Sequence, residues 1–147
     1  LGYYGNIEET NKVIKEHQDG NKWLHTGDIG YMDEDGFVYF KQRLKRLIVS
    51  SGYNIYPDHV ERIIKQMDEV ESCVVIGVPH PYKKQVAKAY IVLKDSVKVN
   101  AVLKKKIKKY CEENLVKYSW PYEYEYRDSL PKTLVGKIAY KELENGK

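Results

Sequence analysis

The fold is decided by residues 47–67, which read LIVSSGYNIYPDHVERIIKQM. The apolar run at 47–49 predicts a strand, Ser-Ser-Gly predicts a tight turn, and residues 53–56 predict a returning strand. Pro57 ends that strand, and Asp58 with Glu61 three residues later is typical of a capping box at the start of a helix. Apolar residues then recur at helical spacing, at Val60, Ile63, Ile64 and Met67. The stretch therefore predicts a strand hairpin followed by a helix with one apolar face.

The residues that follow extend this sheet. Apolar runs at 73–78 and 86–93 predict two buried strands, and a Val-Pro-His-Pro break separates them. Asn100 is typical of the cap of another helix. Tyr122, Tyr124 and Tyr126 alternate with charged residues, the period of a half-buried strand, and residues 138–143 predict a short closing helix. The order β-β-α-β-β-α-β-α predicts an α+β fold, a small mixed sheet with flanking helices.

The residues upstream predict an arm that precedes this domain. Asn6 and Glu9 suggest a capping box for a helix that runs to about residue 15, and a loop follows at 17–21. A strand at 23–31, interrupted by Thr-Gly-Asp, and a second at 37–40 predict a β-hairpin. The residue pattern changes after Arg43, from the predicted hairpin to the short apolar run at 47–49. We therefore divide the chain into residues 1–43, with the hairpin arm, and 44–147, the compact domain, joined by a hinge.

Composition excludes several classes of protein. The chain has 147 residues, 42% of them hydrophobic and 31% charged, as in ordinary globular domains. No apolar run is long enough to cross a bilayer, although peripheral membrane contact stays open. Cys73 and Cys111 lie far apart and form no Cys-x-x-Cys pair, so we expect a reducing, cytoplasmic setting and no metal site. The net charge of +4 suits a phosphate-bearing partner without requiring one.

Four short segments could carry chemistry. Asp28, in Thr-Gly-Asp, offers two acceptor oxygens suited to adjacent ribose hydroxyls, and Arg43 could reach the same ribose or a phosphate through its planar fork. The turn at Ser51, Gly52 and Tyr53 could let a narrow ligand pass. Lys137 stands in an exposed loop, where a mobile ammonium can neutralise charge that develops between a carboxylate and a phosphate. Each segment alone is more typical of an ordinary turn or a solvated surface, and only their combination points to function.

In this order, the segments resemble the adenylate-forming superfamily, which includes acyl-CoA synthetases, coumarate ligases, firefly luciferase and peptide-synthetase adenylation domains. The resemblance covers nearly the whole chain. It begins at Leu1-Gly2-Tyr3-Tyr4 and is nearest to fatty acyl-CoA synthetases in the run Gly52-Tyr53-Asn54-Ile55-Tyr56-Pro57. The further matching segments are Trp23 to Asp28, Gly77-Val78-Pro79, Lys117 to Pro121, Leu130 to Thr133 and Gly136-Lys137-Ile138.

The resemblance implies an ATP-dependent acid–thiol ligase that forms acyl-AMP and then an acyl-CoA thioester. It implies that Asp28 and Arg43 bind the ribose of ATP or AMP and that Lys137 bridges the acid and the α-phosphate. It also implies a hinge at Lys45 and a CoA pantetheine channel lined by Ser51, Gly52 and Tyr53. Residues 1–43 would end a large N-terminal AMP-binding domain that supplies the Mg²⁺ site, and 44–147 would form the mobile C-terminal domain. Without that partner domain, we expect the 147-residue chain to be inactive.

Three alternatives stay open at this point. One is a peptide-synthetase-like adenylation domain that loads a carrier protein instead of CoA. Another is a basic binding module that uses residues 104–109 on nucleic acid, but the apolar spacing around those lysines favours a solvated helix face, so we expect no nucleic-acid partner. The third is a non-catalytic interaction domain. The resembled pattern is also broken at Gln42, Arg46 and residues 83–85, and the sequence does not identify the carboxylic acid substrate.

Overall fold

The computed structural model describes residues 2–145, in two compact units that comprise residues 1–45 and 46–147 of the chain. The division falls two residues beyond the boundary that we placed after Arg43. Leu1, where the resemblance begins, lies outside the described residues, as do the last two residues of the predicted C-terminal domain.

The first unit contains one helix and two antiparallel strand pairs. Its elements are α1 (Ile7–Val13), β1 (Ile14–Glu16), β2 (Lys22–Leu24), β3 (Asp28–Met32) and β4 (Val38–Arg43). Strand β1 pairs with β2, and β3 pairs with β4. The hairpin that we predicted is therefore β3–β4, whereas the residues before Thr-Gly-Asp form a separate strand with a different partner.

The predicted end of α1 at about residue 15 is wrong. The helix ends at Val13, and Ile14 is already extended, with φ −105° and ψ 115°. Two consecutive β-branched residues favour a strand, and Ile14 pairs with Leu24 across the β1–β2 ladder. The start of α1 is as predicted, because the Asn6 side chain accepts a hydrogen bond from the Glu9 N–H at 3.0 Å.

The second unit is built on a five-stranded mixed sheet with three helices, so the predicted α+β fold and element order are confirmed. Its strands are β5 (Ile48–Ser50), β6 (Tyr53–Ile55), β7 (Val70–His80), β8 (Lys84–Leu93) and β9 (Glu123–Arg127). The strand order is β6-β5-β8-β7, and β9 lies parallel beside β8. Its helices are α2 (Pro57–Lys65), α3 (Ala101–Asn114) and α4 (Tyr140–Glu144).

Both faces of this sheet are covered. On one face, Cys73 and Val75 of β7 belong to a core that contains apolar residues of α2 and α3. The alternate residues Val74 and Ile76 belong to a second core with Leu143 of α4. Successive side chains of a strand point to opposite faces, so one strand can contribute to both cores. No helix among residues 2–145 has the length and apolar content that a bilayer crossing requires.

The predicted cap of α2 is wrong. Tyr56 occupies the cap position without a side-chain hydrogen bond, and Pro57 takes the first helical turn, where its missing N–H costs nothing. Asp58 lies one residue further on, and its carboxylate accepts a hydrogen bond from the Arg46 guanidinium. The Pro at this position shifts the start of the helix by two residues and frees Asp58 for that ion pair.

Candidate functional site

Asp28 and Arg43 face each other across the β3–β4 ladder. They are register partners, and the Arg43 Nε lies 2.8 Å from Asp28 Oδ1. Gly27, just before the strand, has φ +78°, a conformation that glycine adopts without strain. The Arg43 guanidinium also lies 3.4 Å from the Thr26 carbonyl oxygen. The Asp28 carboxylate is about one-third exposed (34%), so at least one of its oxygens has room for a hydroxyl donor.

The turn between β5 and β6 has an unusual backbone. Ser51 has φ +48° and Gly52 has φ +83°, as a two-residue hairpin turn of type I′ requires. The Ser51 N–H donates to the Lys83 carbonyl oxygen at 3.1 Å, which fixes the turn to the start of β8. The predicted turn is therefore a rigid, exposed feature of the second unit.

Ser51 and Tyr53 line an open groove of about 710 Å³. The Tyr53 ring stacks on Tyr118, with centroids 4.8 Å apart. Lysines from three separate segments also line the groove, namely Lys83, Lys108 and Lys117. Glu112 is the acidic residue on its walls and lies 4.0 Å from Lys108. The groove thus combines flat aromatic surfaces with an excess of positive charge, which suits a ligand with rings and phosphates.

Lys137 closes a tightly hydrogen-bonded loop. The Thr133 N–H donates to the Lys137 carbonyl oxygen at 2.6 Å, and the Lys137 N–H donates to the Thr133 hydroxyl at 3.2 Å. A β-bridge between Lys132 and Ile138 holds the base of the loop. The Lys137 side chain is exposed, and no carboxylate of residues 2–145 lies within ion-pair distance of its ammonium. The backbone is therefore fixed while the ammonium is free to meet a ligand.

The predicted site residues fall in both units. Asp28, Arg43 and the exposed Lys45 belong to the first, and Lys45 is its last residue. The 51–53 turn and Lys137 belong to the second. Within the described second unit, Lys137 shares no hydrogen bond, ion pair or ring contact with that turn. The second unit thus presents two separate candidate surfaces.

Sequence reasoning missed two sets of residues. Lys117 was read as part of a matching segment and Lys83 as a departure from the pattern, and only the fold brings them to one groove. Arg46, to which we assigned no contact, forms ion pairs with Asp58 and Glu61. The spacing of those two acids, three apart on one face of α2, was the available signal. Residues 2–145 contain no group of three or more metal-ligating side chains arranged around a metal position.

Comparisons with known proteins agree with this fold. The family model for the AMP-binding enzyme C-terminal domain matches residues 59–137. A long-chain-fatty-acid–CoA ligase of Bacillus subtilis (strain 168) is 42% identical over 97% of this chain, and one of Salmonella typhimurium is 38% identical over 99%. The ATP-bound RpMatB–BxBclM chimera B1 superimposes with a TM-score of 0.87 at 31% identity, and the match covers 99% of this chain and 28% of the chimera.

The chain spans about a quarter of the length of these curated relatives, 24% in both ligases. The matched family region contains α2 from His59 onward, the strands β7, β8 and β9, the helix α3, and Lys137 at its end. The resemblance drawn from the motifs is confirmed, and the chain belongs to the family of AMP-binding enzyme C-terminal domains of the adenylate-forming superfamily.

Proposed function

We propose that this chain is the C-terminal part of an acyl-CoA synthetase. The enzyme would activate a carboxylic acid with ATP, giving acyl-AMP and pyrophosphate, and the thiol of CoA would then displace AMP to form a thioester. The observation that carries this function is Lys137, an exposed ammonium without a carboxylate partner among residues 2–145, on a loop of fixed backbone. Two relatives named long-chain-fatty-acid–CoA ligase support a fatty acid as the substrate.

In the first half-reaction, Lys137 would lie between the carboxylate of the acid and the α-phosphate. Both groups are anionic, and negative charge builds up on the phosphate oxygens as the new bond forms. A single ammonium at this point lowers the barrier by electrostatic stabilisation. Mg²⁺ would be bound by the N-terminal AMP-binding domain that the resemblance implies.

Asp28 and Arg43 would hold the nucleotide. The carboxylate of Asp28 can accept hydrogen bonds from both ribose hydroxyls. Arg43, with its Nε 2.8 Å from Asp28, keeps that carboxylate oriented. Residues 1–43 would then be the end of the N-terminal AMP-binding domain, residues 44–147 the mobile domain, and Lys45 the hinge between them.

The groove beside the 51–53 turn would take CoA in the second half-reaction. Ser51, Gly52 and Tyr53 would border the pantetheine arm, and the three groove lysines would face the phosphates of the nucleotide end. A carrier protein presents its phosphopantetheine with a single phosphodiester, so the excess of positive charge in the groove favours CoA as the acceptor.

The first test separates the two half-reactions in the full-length protein. Lys137→Ala is expected to lower ATP–pyrophosphate exchange by about a hundredfold or more, since one charge-stabilising group typically contributes that much. Thioester formation from supplied acyl-AMP and CoA should stay within about twofold. Both are measured by radiolabelled exchange and by thiol consumption.

Lys132→Ala is the matched control, because Lys132 is an exposed lysine of the same loop. It should leave both half-reactions unchanged, and the 147-residue chain alone should show no exchange. An equal loss of both half-reactions in Lys137→Ala would contradict the role given to Lys137.

The second test addresses the acceptor. In the full-length protein, Lys83→Ala and Lys117→Ala should each raise the KM for CoA by up to about tenfold, the effect of losing one charged hydrogen bond, without changing exchange. Lys105→Ala is the control, because Lys105 is an exposed lysine of α3 outside the groove.

Dephospho-CoA distinguishes a phosphate contact from a general effect. With dephospho-CoA, the increase in KM relative to the unaltered protein should be smaller for at least one of the two variants. The reason is that neither the variant nor the unaltered protein can contact the missing 3′-phosphate. Unchanged KM values for CoA in both variants, with efficient transfer to a phosphopantetheine carrier, would favour the carrier-protein alternative instead.

A further inference from the structure

Arg46 is the first residue of the second unit and differs sharply from its neighbour Lys45. Lys45 is exposed, whereas the Arg46 side chain keeps only 19% of its accessible surface. Both belong to the short 3-10 turn Leu44–Arg46, which leads into β5. The position given to the hinge is thus followed at once by a side chain that is anchored inside the second unit.

Three hydrogen-bond acceptors and one aromatic ring contact the Arg46 guanidinium. One terminal nitrogen pairs with the Asp58 carboxylate, and the other lies 2.5 Å from Glu61 Oε1 and 3.5 Å from the Val75 carbonyl oxygen. The central carbon of the guanidinium lies over the Tyr140 ring, 4.4 Å from its centroid. Arg46 therefore connects the start of β5 with α2, β7 and α4 at once.

The ion pair with Glu61 is deeply placed. The Glu61 side chain is 8% exposed, and its carboxylate also accepts the Val75 N–H at 2.8 Å. Burial raises the pKa of Glu61, and the Arg46 charge and the Val75 N–H oppose that rise. A buried carboxylate needs a compensating cation, so the guanidinium is held strongly in place.

Tyr140 lies three residues after Lys137, and the segment between them is firmly attached. The Ala139 N–H donates to the Pro131 carbonyl oxygen at 2.9 Å, and Ile138 forms the bridge to Lys132. Leu143, on the same short helix as Tyr140, is buried against the sheet. A displacement of Tyr140 would therefore shift the base of the loop that holds Lys137.

We propose, building on the function proposed above, that Arg46 is a positioning residue for Lys137 that acts through the Tyr140 ring. It links the residue after the hinge directly to the helix that follows the catalytic loop. A rotation at Lys45 would then move Lys137 together with the rest of the second unit. The two residues are connected through the Arg46 side chain, which is ion-paired with two carboxylates and contacts the Tyr140 ring. The expected consequence is a specific effect on acyl-AMP formation.

The test uses the full-length protein and both half-reactions. Tyr140→Leu removes the ring but leaves Glu61 paired with Arg46, so the fold should persist. We expect ATP–pyrophosphate exchange to fall about tenfold, while thioester formation from supplied acyl-AMP stays within about twofold. Tyr140→Phe retains the stacked ring and should restore exchange to within about twofold of the unaltered protein.

Arg46→Lys provides an independent arm. Lysine keeps a positive charge for Glu61 but lacks the planar fork that stacks on Tyr140. Its ATP–pyrophosphate exchange rate should fall, as in Tyr140→Leu. Exchange by the variant that combines Arg46→Lys with Tyr140→Leu should be no slower than exchange by the slower single variant. Arg62→Ala, which removes an exposed arginine of α2, should change neither half-reaction.

Several outcomes would overturn the positioning role. They are an equal loss of both half-reactions in Tyr140→Leu, a Tyr140→Phe variant as slow as Tyr140→Leu, or fully additive effects of the two substitutions. The Lys137→Ala variant tells the two proposals apart. If Lys137→Ala keeps full ATP–pyrophosphate exchange, the proposed function itself fails. If Lys137→Ala loses exchange while the Tyr140 variants are unaffected, only the role of Arg46 is rejected.

Discussion

The turn between β5 and β6 depends on two residues with positive φ. Glycine adopts such a φ without strain, whereas for serine it costs on the order of 1 kcal/mol. A Cβ atom added at Gly52 would meet no heavy atom within 4 Å, so the constraint there is conformational and not steric. Replacing Gly52 should therefore lower the stability of the fold, whereas replacing Ser51 by a residue that tolerates a positive φ should raise it.

Gly52→Ala is expected to lower the free energy of unfolding of the second unit by about 1 kcal/mol, because alanine is strained at φ +83°. Ser51→Asn should raise it by a few tenths of a kcal/mol, since Asn-Gly is the preferred pair for this type of turn. Urea unfolding of the 147-residue chain in a Trp23→Phe background measures both, because Trp120 then reports on the second unit alone. Equal stabilities of the two variants would contradict the conformational explanation.

Single residues also show how far the site could be predicted. The turn at Ser51 and Gly52 is local, so its residue types were sufficient to predict it. Asp28 and Arg43 were each named from the sequence, and the hairpin register makes them neighbours. The spacing of the two acids on α2 indicates a shared cation, but that cation, Arg46, is 12 and 15 positions away and its ring contact with Tyr140 spans 94 positions, so no local pattern could identify it.

At the scale of elements, the parallel pair β8–β9 carries a cluster of alternating charges. The Lys88 ammonium lies 2.9 Å from Glu125 and 3.5 Å from Glu123, and Arg127 Nε lies 2.6 Å from the other oxygen of Glu125. The hydrogen bond with Lys88 lowers the pKa of the Glu125 carboxyl, with a further contribution from Arg127. These pairs fix the register of a strand that is separated from β8 by the whole of α3.

Lys88→Met, which keeps the aliphatic stem, should raise the pKa of Glu125 towards its ordinary value of 4.5. Because the folded-state pKa lies below the unfolded value, the ionised carboxylate stabilises the fold above that unfolded value. This contribution is lost as the pH falls through the folded-state pKa. The stability difference between the variant and the unaltered chain, roughly 0.5 kcal/mol for a partly exposed pair, should therefore be present at pH 7 and shrink in acid.

Carboxyl-carbon NMR titration measures the pKa of Glu125 directly, and urea unfolding at several pH values measures the stability difference. Lys105→Met, on the exposed face of α3, is the control and should leave both quantities unchanged. A Glu125 pKa that does not move in Lys88→Met would show that Arg127 alone sets it.

Elements differed in how well periodicity predicted them. The second unit was predicted in its full order, since its strands and helices have the apolar patterns that burial in two cores requires. Strand β1 was not predicted, because its first residues were assigned to α1, and β2 was joined to β3 in a single strand. Three-residue strands carry no period of their own, and all three residues of β2 are exposed. The early end of α1 follows from pairing between Ile14 and Leu24, a contact that only tertiary structure supplies.

For the whole molecule, the class of fold followed from the element order, but the neighbours in the sheet did not. The sequence order gives no reason to place β5 beside β8 or to set β9 parallel to it. Those choices depend on helices that cover both sheet faces, and hence on long-range burial. The chain divides into units at 1–45 and 46–147, and the change in composition after Arg43 lies close to that division.

The two buried cysteines can report on opening of the hydrophobic core of the second unit. Cys73 and Cys111 are free, lie in the core shared by the sheet, α2 and α3, and have pKa values that burial raises. Thiol reagents attack the thiolate, so neither sulfur can be modified at neutral pH while the core is closed. The rate of thiol modification therefore measures how often the core opens. Burial also protects both sulfurs from oxidants for as long as the domain stays folded.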